Sequence, residues 1–322
     1  MPLFDLAGLA DATETVRKHL PPTPQYAWPL VGEAVGAEVW VKHENHTRTA
    51  AFKIRGGLVL QEALRRRGDT SPIVTPTRGN HGQSLALSSR LHGRPVTIVV
   101  PEGNDADQNA AMRAFGADLV VHGKDFQDAR EHAEALAAER GALLVPPFHP
   151  ELVRGVATYA KELFDAAGEL DAVYVPIGMG SGICGTATVR DLLRLRTRVI
   201  GVVAAGAPAY ALSFEAGHVV ETPSVDTFAD GVATRSPDPA ALEIIRGAVE
   251  QVLQVTDDEI AAAMRLLYRA THNVAEGAGA VALAGLLQQR ERHRGGRVGV
   301  VLTGGNISAD RLVPLLREPA NA

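Results

Sequence analysis

The sequence predicts an α/β protein built from two doubly wound parallel-sheet domains. At 322 residues the chain is longer than a single hydrophobic core usually supports, so two domains are expected. Its 46% hydrophobic and 5% aromatic content suits helices packed on parallel sheets better than a β-sandwich. From about residue 72, short β-branched runs alternate with helical periods, which is typical of repeated βα units.

The first series of βα units extends to about residue 145. It predicts strands at 73–75, 96–100, 119–121 and 143–145, and helices at about 82–91, 107–115 and 125–139. The series ends at Pro146-Pro147, a pair that favours a crossing between domains. We therefore predict that residues 73–145 form a small domain inserted into a large domain of residues 1–72 and 146–322. The active site is expected in the cleft between them, at the carboxyl ends of strands.

A second series predicts the remaining strands of the large domain. These strands are expected at 172–175, 199–203, 252–255 and 298–302. The helix after Val255 is indicated by Thr256 as N-cap with Glu259 three residues later.

Charge and composition exclude several classes of partner. The net charge of −5 and the absence of a basic stripe or tail argue against nucleic acid and anionic membranes. Cys184 is the one cysteine, which excludes an internal disulfide and fits a reducing compartment. No apolar run is long enough to span a membrane, and the N-terminus lacks the pattern of a secretory signal. We expect a cytoplasmic protein.

Residues 44–57 place one lysine, Lys53, at a turn that leads into a glycine-containing helix. Phe52 and Ile54 flank this lysine and can partly desolvate it. Desolvation disfavours the charged form and leaves a free amine able to condense with an aldehyde. The segment therefore predicts a Schiff-base site.

Two further motifs each connect a strand to a helix. In Gly178-Met179-Gly180-Ser181-Gly182, backbone N–H groups can approach an anion at a helix N-terminus, although such a loop is equally typical of a tight connection. The second motif offers hydroxyl, amide and backbone donors that suit a carboxylate, and it consists of Thr77, Arg78, Gly79, Asn80 and His81. For His81 we favour a structural role over acid–base work.

Four motifs in order carry a family resemblance: 51–56, 79–83, 178–182 and 303–306. Together they resemble the fold-type II (tryptophan synthase β-like) enzymes that use pyridoxal 5'-phosphate (PLP), in the branch of threonine dehydratases and serine racemases. The resemblance covers nearly the whole chain, from near residue 23 to residue 306. It implies two α/β domains, with PLP bound in the large one.

The resemblance also implies a role for each matching residue. Lys53 would hold PLP, the 178–182 loop would bind its phosphate, Asn80 its phenolic oxygen, and Thr303 would face its pyridine nitrogen. The other cofactor contacts would be Phe52, the backbone of Gly231, and Glu276, although Glu276 could equally be a helix N-terminal carboxylate. The 77–81 motif would bind the substrate's α-carboxylate.

Two positions depart from the family pattern. Serine racemases bind a divalent cation through acidic residues in the stretch that corresponds to 204–210, which contains no carboxylate here. We therefore expect no metal site and no dependence on Mg²⁺ or Ca²⁺. Arg78 stands where those enzymes carry the serine that protonates the opposite face, and an arginine is a poor proton shuttle. It would contact substrate, or alternatively form a salt bridge across the cleft.

The predicted function is PLP-dependent α,β-elimination of a serine- or threonine-type β-hydroxy-α-amino acid to a 2-oxo acid and ammonia. Lys53 would take the α-proton, and Ser181 or the phosphate would protonate the leaving hydroxyl. The alternatives are a racemase, or a dehydratase of phenylserine, 3-hydroxyaspartate or a hydroxyectoine-derived substrate. A non-catalytic amino-acid-binding protein is disfavoured, because it needs no aldehyde-trapping lysine. We expect a homodimer without an appended regulatory domain.

Overall fold

The computed structural model describes residues 3–317. The chain begins with α1 (Leu6–Arg17), β1 (Gln25–Ala27), α2 (Pro29–Val35), β2 (Glu38–His43) and α3 (Lys53–Arg66). It continues with β3 (Ile73–Pro76), α4 (Asn80–Leu91), β4 (Val96–Val100), α5 (Ala106–Ala114), β5 (Asp118–Val121), α6 (Phe126–Arg140) and β6 (Leu143–Leu144). The rest comprises α7 (Pro150–Ala167), β7 (Ala172–Pro176), α8 (Ser181–Leu192), β8 (Arg198–Ala204), α9 (Ala209–Ala216), α10 (Pro239–Ala248), β9 (Gln251–Val255), α11 (Asp257–Thr271), α12 (Gly277–Gln288), β10 (Arg297–Leu302) and α13 (Ala309–Leu316). Short 3₁₀ turns lie at Glu44–His46, Asp230–Val232 and Arg290–His293.

These residues form two sheets. The large sheet has the strand order β1-β2-β10-β7-β8-β9 and the small sheet the order β5-β4-β3-β6. Every pairing is parallel except that of β1 with β2. The predicted α/β class with parallel sheets is confirmed, and strands β1 and β2, of which β1 is the antiparallel edge strand, were not predicted. The domain boundaries at 73–145 stay a prediction.

Local sequence explains most of the elements. The central strands β4 and β7 are buried along their whole length, as expected for β-branched runs covered by helices on both faces. The capping box before α11 is present: the Thr256 side chain accepts from the N–H of Glu259, and the Glu259 carboxylate accepts from the N–H of Thr256. Within residues 3–317, no helix combines the length and apolarity that crossing a membrane requires.

A buried group of charged side chains, here called the ionic cluster, joins β2, α3 and α7. It consists of Lys42, Glu44, Arg55 and Glu162, each at most 6% exposed. Arg55 donates from Nε and Nη2 to the Glu44 carboxylate at 2.7 and 2.9 Å, and Lys42 Nζ lies 2.6 Å from Glu162 Oε2. Arg55 also donates to both oxygens of Glu162 at 2.8 Å. Pairing of this kind is what makes buried charge tolerable.

The segment before α3 is tied to the end of β10. The N–H of Phe52 donates to the carbonyl of Thr303 at 3.0 Å, and Ala51 forms an isolated antiparallel bridge with Gly304. Because β10 lies between β2 and β7 in the large sheet, this contact places Lys53 above the middle of that sheet, at the carboxyl ends of its strands.

Candidate active site

Lys53 is the first residue of α3, and its amine faces the start of α8. Its Nζ lies 2.9 Å from Ser181 Oγ and 5.0 Å from the centroid of the Phe52 ring. Within the described part of the chain, no carboxylate lies within ion-pair distance of this amine. Burial lowers the pKa of Lys53 to about 8, which enlarges the neutral, nucleophilic fraction at physiological pH.

The 178–182 loop packs so closely that larger residues do not fit at its first position. A Cβ atom on Gly178 would lie 2.2 Å from the carbonyl oxygen of Gly231. Gly180 has φ of 95° and is the N-cap of α8, and no side chain caps this helix. The N–H groups of the first helical turn therefore lack partners within the helix, and such a helix start favours an anion.

A set of neutral amides, here called the amide network, connects helices of the small sheet to the end of β10. Asn80 on α4 donates to Glu276 Oε1 at 2.7 Å and accepts from Asn306 Nδ2 at 2.7 Å. Gln108 on α5 donates to the carbonyl of Asn306 at 3.1 Å and accepts from Gln83 at 2.6 Å. The hydrogen bond from Asn80 brings this side chain and Glu276 together, and their predicted role as cofactor contacts stays a prediction.

Glu276 is half-buried and has no cationic partner among the described residues. Burial raises the pKa of this carboxyl to about 7, although the hydrogen bond from Asn80 opposes the shift. A Cβ atom on Gly304 would lie 2.4 Å from Glu276 Oε1, so the glycine allows the carboxyl to pack against the turn after β10. At neutral pH this group is poised between its two protonation states.

Three other predicted residues lie close to these elements. Thr303 follows β10, is 5% exposed, and its hydroxyl donates to the carbonyl of Ala278 at 3.3 Å. The buried hydroxyl of Thr77 accepts from the N–H of Gly79 at 3.2 Å, which shapes the turn before α4. A Cβ atom on Gly79 would lie 2.8 Å from Gln108 Oε1.

Arg78 and His81 differ in exposure. Arg78 is exposed and forms no ion pair with any described residue, so the alternative of a salt bridge across the cleft is wrong. His81 is 6% exposed, with Nε2 at 3.4 Å from the carbonyl of Val145. Burial, together with the charge of Lys53, lowers the pKa of His81 to about 3, so the ring is neutral at pH 7.

Several contacts of the site could not be found from sequence patterns. Gln108 lies in no motif, and it contacts the carbonyl of Asn306 from a distant part of the chain. Gln83 ends the 79–83 motif, but nothing in that motif indicates its contact with Gln108. Tyr159 and Tyr210 contact loop carbonyls from α7 and α9, where each looks like an ordinary core aromatic. Within residues 3–317, no group of three or more His, Cys, Asp or Glu residues is placed to hold a metal ion.

The family described as "Pyridoxal-phosphate dependent enzyme" matches residues 16–304 of the chain. The chain belongs to this family. The residues present also fit the cofactor: an amine of lowered pKa, a hydroxyl beside it, and an uncapped helix start that favours a phosphate. The cofactor of this PLP-dependent enzyme is therefore given by the family to which the chain belongs.

Relatives of this PLP-dependent enzyme include two ammonia-lyases. It is 32% identical to the L-threo-3-hydroxyaspartate ammonia-lyase of Saccharomyces cerevisiae, over 95% of this chain and 94% of the relative. It is 37% identical to the L-threonine ammonia-lyase of Geobacter sulfurreducens, over 93% of this chain and 75% of the relative. Its structure resembles the processed form of threonine deaminase isoform 2 of Solanum lycopersicum, with a TM-score of 0.91 and 29% identity over 96% of this chain and 86% of that one.

Proposed function

We propose that this enzyme catalyses α,β-elimination of a β-hydroxy-α-amino acid, releasing a 2-oxo acid and ammonia. The observation that carries the proposal is the amine of Lys53, which has a lowered pKa and faces Ser181 at the head of the glycine loop. The names of the two ammonia-lyase relatives support the same reaction class.

Residues of the cleft have the chemistry to hold the cofactor. Lys53 would bind its aldehyde, the loop amides its phosphate, Asn80 its phenolic oxygen and Thr303 its ring nitrogen. The remaining contacts would come from Phe52, Gly231 and Glu276. When bound, PLP withdraws electrons from the substrate's α-carbon and so makes its proton acidic.

The protein's own groups would then manage two protons. Once the substrate's amino group has replaced it at the cofactor aldehyde, the free Lys53 amine would take the α-proton. Ser181, which lies within hydrogen-bond distance of that amine, would donate a proton to the leaving β-hydroxyl. The hydroxyl leaves as water, and hydrolysis of the dehydrated product gives the 2-oxo acid and ammonia. The 77–81 turn would orient the substrate through its α-carboxylate.

We further propose that residues 73–145 act as a separate small domain in this reaction. All strands of the small sheet come from this contiguous stretch, whereas the large sheet combines strands from both sides of it. The amide network would then link the two domains across the cleft.

A second candidate substrate is an acidic hydroxy amino acid such as 3-hydroxyaspartate. Arg78 favours it, because this exposed guanidinium has no ion-pair partner among the described residues and stands beside the turn that would bind a carboxylate. A free guanidinium is well suited to a second carboxylate on the substrate's β-carbon. The same residue argues against a racemase, since it supplies no second proton donor.

The test is release of 2-oxo acid from L-serine, L-threonine, L-threo-3-hydroxyaspartate and phenylserine by the wild type and by Arg78→Ala. If Arg78 binds a β-carboxylate, kcat/KM falls by roughly ten- to a hundred-fold for 3-hydroxyaspartate alone, as expected for a charge-assisted hydrogen bond. Arg113→Ala, which removes an exposed arginine from α5, is the matched control and leaves all four values unchanged.

A uniform loss across the four substrates would assign Arg78 to the α-carboxylate instead. Unchanged values would remove it from substrate binding. No 2-oxo acid from any of the four, or racemisation faster than elimination, would contradict the proposed reaction.

A further inference from the structure

Two buried tyrosines bind carbonyl oxygens of the 178–182 loop. Tyr210 on α9 donates from its hydroxyl to the carbonyl of Met179 at 3.2 Å, and Tyr159 on α7 donates to the carbonyl of Gly182 at 3.0 Å. Both side chains are at most 1% exposed. Their consequences for the loop differ, because the two carbonyls lie in different backbone environments.

The hydroxyl of Tyr210 has a fixed direction of donation. It accepts the N–H of Asp238 at 3.1 Å, so its own proton is free to point at Met179. Burial raises the pKa of Tyr210, so the phenol keeps that proton throughout the physiological range. The Tyr210 hydroxyl therefore accepts from the backbone before α10 and donates to the loop.

Within residues 3–317, the Met179 carbonyl accepts a hydrogen bond from the Tyr210 hydroxyl and from no other group. This carbonyl precedes α8 and takes no part in the helical ladder. In a trans peptide the C=O and the following N–H point in opposite directions. Fixing the Met179 oxygen toward Tyr210 therefore turns the N–H of Gly180 away from Tyr210.

Gly180 is the residue for which such a restraint matters most. Its φ of 95° belongs to the region in which glycine moves freely, and no side chain caps the helix that it begins. A Cβ atom at Gly180 would lie 3.3 Å from the Tyr210 hydroxyl and 2.7 Å from Ala241 Cβ. Tyr210 and α10 thus support the rear of the loop, while Ser181 faces Lys53 on the other side.

We propose that Tyr210 is a positioning residue that directs the Gly180 amide toward the phosphate of PLP. The inference goes beyond the proposed elimination, and it rests on the assignment of the 178–182 loop to the phosphate. A hydrogen bond to a phosphate oxygen is strong only when the N–H is already aligned, because flexible glycine amides lose entropy when they bind.

Tyr159 lacks this role because the carbonyl that it binds, that of Gly182, is held by two other interactions. Gly182 lies inside α8, and its oxygen also accepts the hydroxyl of Thr186 at 3.0 Å. The peptide that follows Gly182 keeps its orientation when the Tyr159 hydroxyl is removed. The two tyrosines therefore predict different outcomes for the same chemical change.

The test compares the affinity of resolved apoenzyme for PLP with its affinity for pyridoxal, which has the same ring and aldehyde but no phosphate. We expect Tyr210→Phe to raise the Kd for PLP by about ten- to thirty-fold, the effect of weakening one charge-assisted hydrogen bond. The Kd for pyridoxal should stay within about twofold, since the ring contacts are retained.

Tyr174→Phe is the matched control. The Tyr174 hydroxyl is equally buried, on the strand that precedes the loop, but it donates to Gln289 rather than to a loop carbonyl. This variant should lose thermal stability as an apoenzyme to about the same degree as Tyr210→Phe, and should keep the wild-type ratio of the two Kd values.

The outcomes separate the inference from the assignment on which it depends. A wild type that binds pyridoxal as tightly as PLP would contradict the phosphate assignment of the loop. A wild type that strongly prefers PLP, with the preference unchanged in Tyr210→Phe, would overturn the role of Tyr210 alone. Equal weakening of both ligands would show a general structural role and would also overturn it.

A second measurement applies if the apo form of Tyr210→Phe does not fold. The ³¹P resonance of the cofactor phosphate in the holoenzyme reports its hydrogen bonding directly. A resonance shifted from its wild-type position supports the inference, and an unchanged resonance overturns it.

Discussion

Two buried regions of this enzyme use the same residue types for different purposes. In the ionic cluster, Lys42 is fully buried and donates to Glu162 Oε2 at 2.6 Å, to Gln25 at 2.7 Å and to the carbonyl of Thr23 at 2.9 Å. In the cleft, Lys53 is partly buried and has the hydroxyl of Ser181 as its hydrogen-bond partner. Burial lowers the pKa of both lysines, but carboxylates oppose the shift at Lys42 alone.

The carboxylates show the same division. Glu44 and Glu162 each receive charge-assisted hydrogen bonds from Arg55, whereas Glu276 receives one hydrogen bond from the neutral amide of Asn80. A buried ionisable group that is paired with opposite charges keeps one protonation state. A buried group without such partners changes its protonation near neutral pH. Ionic pairing, rather than burial, therefore distinguishes the ionic cluster from the candidate site residues Lys53 and Glu276.

The largest expected effect on activity comes from replacing the lysine of each region in turn. Lys53→Ala should lower the rate of 2-oxo acid release by at least about a thousand-fold, as removal of a nucleophile and base does. Its thermal midpoint should change little, since the lost partner is one hydroxyl. Lys42→Met should have the opposite effects: its thermal midpoint should fall, and the molecules that remain folded should keep the wild-type rate of 2-oxo acid release. Equal loss of catalysis per folded molecule in both variants would refute the division.

The second prediction breaks the ionic cluster from the acidic side. Glu44→Gln removes one of the two carboxylates that Arg55 binds in a fully buried position and leaves Glu162 to pair with both Arg55 and Lys42, which should cost about 3–5 kcal/mol in the free energy of unfolding. Urea denaturation of the apoenzyme measures it. Glu134→Gln, which removes the exposed partner of Arg130 on α6, is the control and should have a several-fold smaller effect. Similar losses in the two variants would mean that the cluster is not the scaffold.

The third prediction concerns Glu276 and pH. Its pKa is raised to about 7 by burial, so the native carboxyl keeps its proton over a range in which the unfolded chain has lost it. The stability that this proton contributes is present below the unfolded value and is lost as pH rises through about 7. The apoenzyme should therefore lose roughly 2–3 kcal/mol relative to Glu276→Gln between pH 5 and pH 8, measured by urea denaturation. A pH-independent difference would show that Glu276 is ionised throughout.

Much of the fold could be predicted because the central strands are visible in the sequence as runs of β-branched residues. The β-branched runs at 73–75, 96–100, 172–175 and 298–302 all lie in buried strands. Strand β2 was not predicted, because Lys42 and His43 interrupt the apolar pattern. Their burial is possible only with partners from elsewhere, such as Glu162 on α7.

The candidate site likewise combines residues that local sequence predicts with contacts that it does not predict. Lys53 and the glycine loop were found from local sequence, since the flanked lysine and the closely spaced glycines are each visible within a few consecutive residues. The contact of Gln108 with Asn306 joins residues 198 positions apart, and that of Tyr210 with Met179 depends on how α9 packs against the loop. Contacts of this kind follow from the packing of distant elements, which no local pattern encodes.

The central position of β10 has a consequence for biosynthesis. Among the strands of residues 3–317, β10 comes last in sequence, yet it lies between β2 and β7 in the sheet and binds the backbone of Phe52 and Ala51. The strands of the small sheet are contiguous in the chain, so that sheet is able to form before β10 is made, whereas the pairing of β2 with β10 joins segments about 250 residues apart. Until β10 is made, the backbone beside Lys53 lacks its contacts with Thr303 and Gly304. We therefore expect cofactor binding to follow the synthesis of β10.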